Sequence, residues 1–102
     1  MAPEVIAGFK YTEKADVFSY GIILWELATR LPPYYGIEGT EVSLKVVKED
    51  LRPKVSWDQE ANTPEIFLQL MKKCWDRDPQ ERPNFNEIID TLNSMDFKNF
   101  GN

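Results

Sequence analysis

The sequence offers few residues that could act as an acid, a base, a nucleophile or a metal ligand. Its 102 residues contain no histidine, which removes both the commonest general base and the commonest metal ligand. The single cysteine, Cys74, is the one thiol that could serve as a nucleophile. It lies among apolar residues of helical spacing, so we expect packing in a core and not reactivity.

Two neighbouring tyrosines could accept a phosphoryl group. Tyr34 and Tyr35 directly follow Pro32-Pro33, where proline interrupts any helix. Paired tyrosines beside prolines pack more often than they are modified. We therefore favour a packing role for both residues.

The overall composition excludes several classes of protein. Hydrophobic residues make up 42% and charged residues 28% of the chain, which is ordinary for a globular domain. The formal net charge of −5 disfavours nucleic acid as a partner. No stretch approaches the roughly 20 apolar residues of a membrane span, and one cysteine cannot form an internal disulfide. We expect a cytoplasmic protein.

The elements that must position these residues are helices. The run from Asp16 to Ala28 would be apolar on all sides of a helix, because residues 22 to 25 point around its whole circumference. We therefore predict a buried central helix, with Asp16 as its N-cap or first-turn acid. Leu31-Pro32-Pro33 ends this helix, because proline cannot continue it.

Three amphipathic helices are predicted after the central one. The first covers Thr40–Glu49. The second begins at Thr63-Pro64, with threonine as the N-cap, and is broken by Asp76-Arg77-Asp78-Pro79. Lys54 to Asn62 is polar and is interpreted as a loop. The apolar residues of the second helix recur at helical spacing: Ile66, Phe67, Leu70, Met71, Cys74 and Trp75.

The last predicted helix opens at Asn84, and Glu87 three residues later completes a capping-box signature. Strand signals are weak along the whole chain, and no glycine-rich linker or repeat interrupts it. The chain is therefore predicted to be all-α, with about four main helices. The buried face of the last helix is predicted to consist of Phe85, Ile88, Ile89, Leu92 and Met95.

Several short motifs follow one another in a fixed order along the chain. They are Ala2-Pro3-Glu4, Asp16-Val17-Phe18-Ser19-Tyr20-Gly21, Cys74-Trp75, Asp78-Pro79 and Arg82-Pro83. The first tripeptide alone is a weak signal, but the ordered series is highly specific and resembles the second half of the C-lobe of protein kinases. The resemblance implies an incomplete kinase domain over residues 1–96, followed by a frayed tail at 97–102.

Finer details are similar to the tyrosine-kinase-like group of serine/threonine kinases. They lie in Met1–Val5, Tyr11–Val17, Gly21–Leu27 and Arg82–Phe85. True tyrosine kinases share the Cys-Trp and Arg-Pro ending and stay a close alternative. The resemblance implies a family activity in which the γ-phosphate of ATP is transferred to serine or threonine, or to tyrosine, of a protein substrate.

The resemblance also implies roles for two acids and an arginine. Glu4 matches the acid that pairs with the arginine matched by Arg82, and this pair would tie the end of the activation segment to the late helices. The alternative to this pair is that Glu4 and Arg82 are two exposed surface charges that contribute little to stability. Asp16 resembles the acid that accepts hydrogen bonds from the catalytic loop. That loop is not part of this sequence, so a plain N-cap is favoured here.

Four further positions take their expected roles from the same resemblance. Ile23 and Leu27 match the positions that support the internal hydrophobic stack of kinases. The alternative, an ordinary place in the hydrophobic core, is physically the same role. Trp75 belongs to the Cys-Trp motif and is expected in the core. Glu26 matches an acid that faces basic substrate side chains in some kinases, although a solvated or ion-paired glutamate is favoured.

The residues that perform phosphoryl transfer are not found. The reaction needs a glycine-rich loop, a lysine on the phosphates, a catalytic aspartate and ligands for magnesium. The five glycines are scattered, His-Arg-Asp is impossible without histidine, and Asp-Phe-Gly does not occur. We expect no catalytic, cofactor-binding or metal-binding residue in this chain; ATP and Mg²⁺ are implied for the whole family domain.

In the family, the motifs that carry phosphoryl transfer precede Ala-Pro-Glu. Met1 is therefore interpreted as an internal methionine or the start of a truncated gene.

Two functions follow as hypotheses. The first is a fragment of a protein kinase, inactive by itself, whose partners are the missing half of the domain and a protein substrate. The second is a non-catalytic interaction module, a truncated kinase relic that binds another protein. In both, part of the central helix loses the cover that a whole domain provides. We therefore expect a marginally stable chain that can self-associate through exposed apolar surface.

Overall fold

The computed structural model describes residues 1–95, and this part of the chain is helical without any strand. The all-α prediction is thereby confirmed, and so is the expectation of about four main helices, because four have nine or more residues. The predicted tail at 97–102 lies outside the described residues. The helices are α1 (Pro3–Ile6), α2 (Glu13–Thr29), α3 (Gly39–Glu49), α4 (Trp57–Asn62), α5 (Glu65–Cys74) and α6 (Phe85–Asn93), with a 3₁₀ turn at Pro79–Glu81.

Helix α2 begins earlier than the sequence suggested. Thr12 is its N-cap, with extended backbone and a hydroxyl that accepts a hydrogen bond from the backbone N–H of Lys14. Asp16 is therefore a first-turn acid, which was one of the two alternatives predicted for it, and the N-cap alternative is wrong. The helix ends at Thr29, because Arg30 adopts the left-handed conformation (φ 57°) and Pro32 follows two residues later.

Helix α4 occupies the segment Lys54–Asn62 that was interpreted as a loop, so that interpretation is wrong for residues 57–62. A capping box forms it: the Ser56 hydroxyl accepts from the backbone N–H of Gln59, whose side chain accepts from the N–H of Ser56. The prediction for the start of α5 is also wrong by one residue. Pro64 is the N-cap of α5, while Thr63 closes α4.

Helix α6 starts as predicted, with a capping box between Asn84 and Glu87. Its buried face is narrower than predicted. Ile88 is fully buried, but Phe85 and Ile89 are 39% and 52% exposed. The helix packs on α5, and Phe85 meets only the edge of the Tyr20 ring on α2, at 5.9 Å between ring centres, so part of the predicted face stays in solvent.

The core lies where α2 crosses α5, which is the largest contact between helices in the described chain. The molecule is a slab with extents of 41 × 32 × 15 Å, and its thickness equals that of two packed helices. Two layers can cover each helix on one side only. The buried apolar residues are Ala2, Ala15, Val17, Phe18, Leu24, Trp25, Val46, Phe67, Leu68, Leu70, Met71, Cys74, Trp75 and Ile88.

The apolar pattern of α2 alone predicted burial on all sides, and the structure shows instead the partial exposure expected where the rest of a kinase domain does not cover the helix. One side of the helix packs into the core through Phe18, Leu24 and Trp25. On the opposite side Ile23 is 47% exposed and Leu27 is 61% exposed. Neither residue therefore lies in a core in the described chain, because no second layer of helices covers that side; this agrees with the expectation that part of the central helix loses its cover here.

Candidate functional site

Arg82 and Glu4 form an ion pair that joins helix α1 to the segment directly before helix α6. The Nη1 and Nη2 atoms of Arg82 donate to the two carboxylate oxygens of Glu4, at 2.7 and 2.8 Å. The arginine side chain is fully buried, and that of Glu4 is nearly so. The pairing expected from the motifs is thus present, with the bidentate geometry in which guanidinium and carboxylate match best.

The same guanidinium also holds backbone from two other segments. It donates to the carbonyl oxygen of Asp76 at 2.7 Å and to that of Lys14 at 2.9 Å. In return, the ammonium group of Lys14 donates to the carbonyl of Arg82. Helix α1, the start of α2 and the turn after α5 are therefore held together by one side chain. Removing it would leave several buried acceptors unpaired.

The charge state of Glu4 reflects this environment. Burial alone would raise the pKa of the carboxyl group, because it disfavours the charged form. Hydrogen bonds from Arg82 and from the backbone N–H of Glu4, together with the positive charge of Arg82, outweigh burial and hold the pKa of Glu4 below its ordinary value of 4.5. The pair is ionised at neutral pH.

Phe18 on α2 lies beneath two guanidinium groups. The Cζ atoms of Arg52 and Arg82 lie 4.8 and 5.0 Å from the centre of its ring, within the range of a cation–π contact. Arg52 also donates from Nε to the carbonyl of Trp75 at 2.9 Å. Sequence reasoning missed Arg52, because it lies in an irregular segment where spacing predicts no contact.

Asp16 is exposed on the first turn of α2 and accepts a hydrogen bond from the hydroxyl of Tyr11. This bond, with a smaller contribution from burial, raises the pKa of Tyr11. Tyr11 thus occupies one oxygen of the Asp16 carboxylate, whose role toward a catalytic loop stays a prediction. The structure places Asp16, Ile23 and Leu27 on the uncovered side of α2, apart from the Glu4–Arg82 pair.

Glu26 is exposed and borders a shallow cleft between α2 and α6. Leu27 and Arg30 line the same cleft, with Phe67 and Leu92 below them. An acid at the rim of an open cleft could meet a basic group of a partner. The role of Glu26 stays a prediction.

Cys74 and Trp75 lie in the core, at the end of α5. Burial raises the pKa of the Cys74 thiol to about 12, so the group is protonated at neutral pH and is a poor nucleophile. Trp75 is buried, and its carbonyl is the acceptor for Arg52. Both residues therefore serve packing, as expected for this motif.

Within residues 1–95, no three His, Cys, Asp or Glu side chains lie close enough together to share a metal ion. Within the same range, the helices are all too short or too polar to cross a bilayer.

Comparison with known proteins agrees with these features. A family model described as protein tyrosine and serine/threonine kinase matches residues 1–92. The probable serine/threonine-protein kinase drkC of Dictyostelium discoideum is 45% identical over 94 residues, which are 92% of this chain and 12% of that protein. The serine/threonine-protein kinase STY17 of Arabidopsis thaliana is 45% identical over 95 residues, 93% of this chain and 16% of that protein.

A putative serine/threonine-protein kinase/receptor of Acanthamoeba polyphaga mimivirus, R818, is also similar, with 44% identity over 94 residues, 92% of this chain and 5% of that protein. The chain belongs to the family of protein tyrosine and serine/threonine kinases and corresponds to the carboxy-terminal, helical part of a kinase domain. It spans between 5% and 16% of the length of these three relatives.

Proposed function

We propose that this chain is the helical platform of a serine/threonine kinase domain and that it does not transfer phosphate by itself. The relatives are named serine/threonine-protein kinases, and in our proposal the whole domain passes the γ-phosphate of ATP to serine or threonine of a protein substrate. The platform would hold the reacting parts in place. In the intact domain it would act through its fixed helices and not through a catalytic group of its own.

The observation that carries this proposal is the uncovered side of α2. Ile23 and Leu27 lie one helical turn apart and are exposed, although isoleucine and leucine at the centre of a helix are normally buried. An exposed apolar stripe on the most hydrophobic helix of a protein is typical of a surface that packs against another part of a protein. In a kinase domain the catalytic loop and the helices before it would supply that cover, and Asp16 at the same side would accept hydrogen bonds from it.

The proposal that the chain lacks activity of its own rests on residue types. The sequence has no histidine and no Asp-Phe-Gly triplet, so two of the motifs that carry kinase chemistry do not occur. The kinase motifs that carry the magnesium ligands, the Asp of Asp-Phe-Gly and the catalytic-loop Asn that follows His-Arg-Asp, are not found in the sequence. In our proposal ATP and Mg²⁺ bind elsewhere in the whole domain.

A chimera tests whether the chain is a competent platform. The 94 matching residues of the Dictyostelium kinase drkC would be replaced by those of this chain, and phosphorylation of a generic protein substrate measured with radiolabelled ATP. We expect activity within about tenfold of the parent kinase. Leu27→Glu in the chimera should abolish activity, because a charge would replace the apolar contact. Trp57→Glu, at an exposed position on α4, is the matched control and should keep it.

A chimera that folds but is inactive would contradict the platform proposal. The chain alone, incubated with magnesium and ATP, should give no labelled product, and turnover above a buffer blank would contradict its proposed inactivity.

We also propose that the isolated chain self-associates through the uncovered side of α2. We further propose that the protein is cytoplasmic, because its lone, buried cysteine suits a reducing compartment.

A further inference from the structure

An apolar pocket of about 580 Å³ lies between the end of α2 and the two irregular segments that follow it and precede α4. The pocket is separate from the uncovered side of α2: neither Ile23 nor Leu27 borders it. Its volume is in the range of sites that bind drug-sized ligands. The residues that line it are Trp25, Leu31, Pro32, Tyr34, Tyr35, Ile37, Leu51, Arg52, Pro53 and Lys54.

The lining of the pocket contains basic residues and no acidic one, although the molecule as a whole is acidic. The chain has a net charge of −5, with 17 acidic residues against 12 basic ones. The pocket is lined by two basic residues and no acidic one. The guanidinium of Arg52 is occupied by the carbonyls of Trp75 and Leu51 and by Asp50. Lys54 is exposed and makes no ion pair within residues 1–95, so its ammonium group is free to meet an anion.

The loop that forms one wall is held in a costly conformation. Within seven residues Arg30, Tyr34 and Gly36 all have positive φ angles, which an aromatic residue such as Tyr34 rarely adopts. The hydroxyl of Tyr34 is buried without a hydrogen-bond partner in the described chain, and burial raises its pKa. Strained backbone and an unsatisfied polar group at one residue are typical of binding sites. The buried hydroxyl also makes Tyr34 a poor acceptor for phosphate.

The rim extends the apolar surface beyond the pocket. Tyr35 is 87% exposed, and Leu31 beside it is also exposed. Exposed tyrosine at the edge of an apolar pocket is typical of protein interfaces. A free small molecule inside the pocket would leave this rim in water, whereas a peptide that inserts one side chain would cover it with its backbone. The open shape thus favours a peptide.

We propose that this pocket binds a bulky apolar side chain, phenylalanine or leucine, from an acidic segment of a partner protein. The apolar floor around Trp25 would take the side chain, and Lys54 would meet the carboxylates that flank it. The exposed ring of Tyr35 would lie on the peptide backbone. The site is independent of phosphoryl transfer, so it can be tested in the full chain without any kinase activity.

The probe is a synthetic acidic peptide with one central phenylalanine, Glu-Asp-Phe-Glu-Asp with blocked ends, titrated into the ¹⁵N-labelled full chain. The indole N–H of Trp25, which donates to the carbonyl of Lys54 at 3.0 Å, gives a resonance inside the pocket. We expect that signal and the amides of residues 31–37 to shift, while the indole of the exposed Trp57 stays unchanged. Shifts confined to Ile23, Leu27 and their neighbours would overturn the proposal.

Two control peptides and two variants sharpen the test. Replacing the central phenylalanine by alanine, or the four acids by lysine, should weaken binding at least about tenfold. Tyr35→Ala and Lys54→Glu should do the same, and both change exposed side chains. Lys10→Glu, an exposed charge outside the pocket, is the matched control and should bind within about twofold of the parent. Equal binding of the acidic and the lysine peptide, or no binding of the acidic one, would refute the proposal.

Discussion

A side-chain carbon placed on Gly21 would lie 2.9 Å from the Cβ atom of Cys74 and 3.1 Å from the carbonyl oxygen of Met71. Gly21 is in the middle of α2, where glycine costs helix stability relative to alanine. It is needed because α2 and α5 approach so closely at this point that their backbones leave no room for a methyl group. The crossing of these two helices forms the core, so Gly21 fixes their separation.

We predict that Gly21→Ala lowers the free energy of unfolding by about 1–2 kcal/mol. Overpacking of a tight core costs about 1–3 kcal/mol. The higher helix propensity of alanine offsets part of this cost. Urea denaturation followed by circular dichroism measures the change. Gly39→Ala is the control, because nothing lies within 4 Å of a carbon added at that helical position, so it should leave stability unchanged or raise it. Equal loss in both variants would contradict the crowding argument.

The sequence predicted those features that depend on local chemistry or on a family motif. The Asn84–Glu87 capping box and the pair of Glu4 with Arg82 lie where they were expected. Helix α4 was missed although Ser56 and Gln59 carry the same capping signature, because its polar residues show no apolar period and a helix of six residues has almost no face to bury.

Burial was harder to predict than helix position. The apolar pattern of α2 indicated burial on all sides, but periodicity states only which residues prefer to be covered. Whether other helices cover those residues depends on the number of helix layers. This molecule has two layers, so each helix is covered on one side only. The peptide pocket had no sequence signal either, because residues 31–37 and 51–54 meet through the course of two irregular segments, which spacing cannot foretell.

The pair of Glu4 and Arg82 predicts a dependence of stability on pH. Because the pKa of Glu4 is lower in the folded chain than its ordinary value of 4.5, the folded state binds fewer protons than the unfolded state around that pH. The contribution of Glu4 is therefore complete above pH 4.5 and is lost as the pH falls through the lower, folded-state pKa.

Glu4→Gln should accordingly destabilise the chain by about 2–3 kcal/mol at pH 7, since a charged, nearly buried hydrogen-bonding partner is lost. The difference from the parent should begin to shrink below pH 4.5, where Glu4 of the unfolded chain takes up a proton, and should be lost below the lower pKa that Glu4 has in the folded chain. Glu41→Gln removes an exposed carboxylate paired with Lys45 and should cost less than about 0.5 kcal/mol at any pH. A Glu4→Gln penalty that stays constant down to pH 3 would show that the charge of Glu4 is not the cause.

The thiol of Cys74 predicts a slow reaction with modifying reagents. It is fully buried and burial raises its pKa to about 12, so Ellman's reagent at pH 8 should react with it only when the chain unfolds. Reaction should become fast in concentrated urea. A Gln80→Cys variant, at an exposed position in the 3₁₀ turn, provides an internal standard: one equivalent should react at once and the second only on unfolding. Two equivalents reacting at once under native conditions would contradict burial of Cys74.

The uncovered side of α2 predicts how the isolated chain behaves in solution. Ile23 and Leu27 present apolar surface on adjacent turns, and a second copy of the chain is the nearest apolar partner in a pure sample. The double substitution Ile23→Lys with Leu27→Lys should shift sedimentation toward the monomer at concentrations where the parent associates. It should leave the free energy of unfolding within about 0.5 kcal/mol, because both side chains are already exposed. Leu44→Lys removes an equally exposed apolar residue from α3 and should leave association as in the parent. If Leu44→Lys abolishes association and the double substitution does not, the α2 surface is not the one through which copies meet.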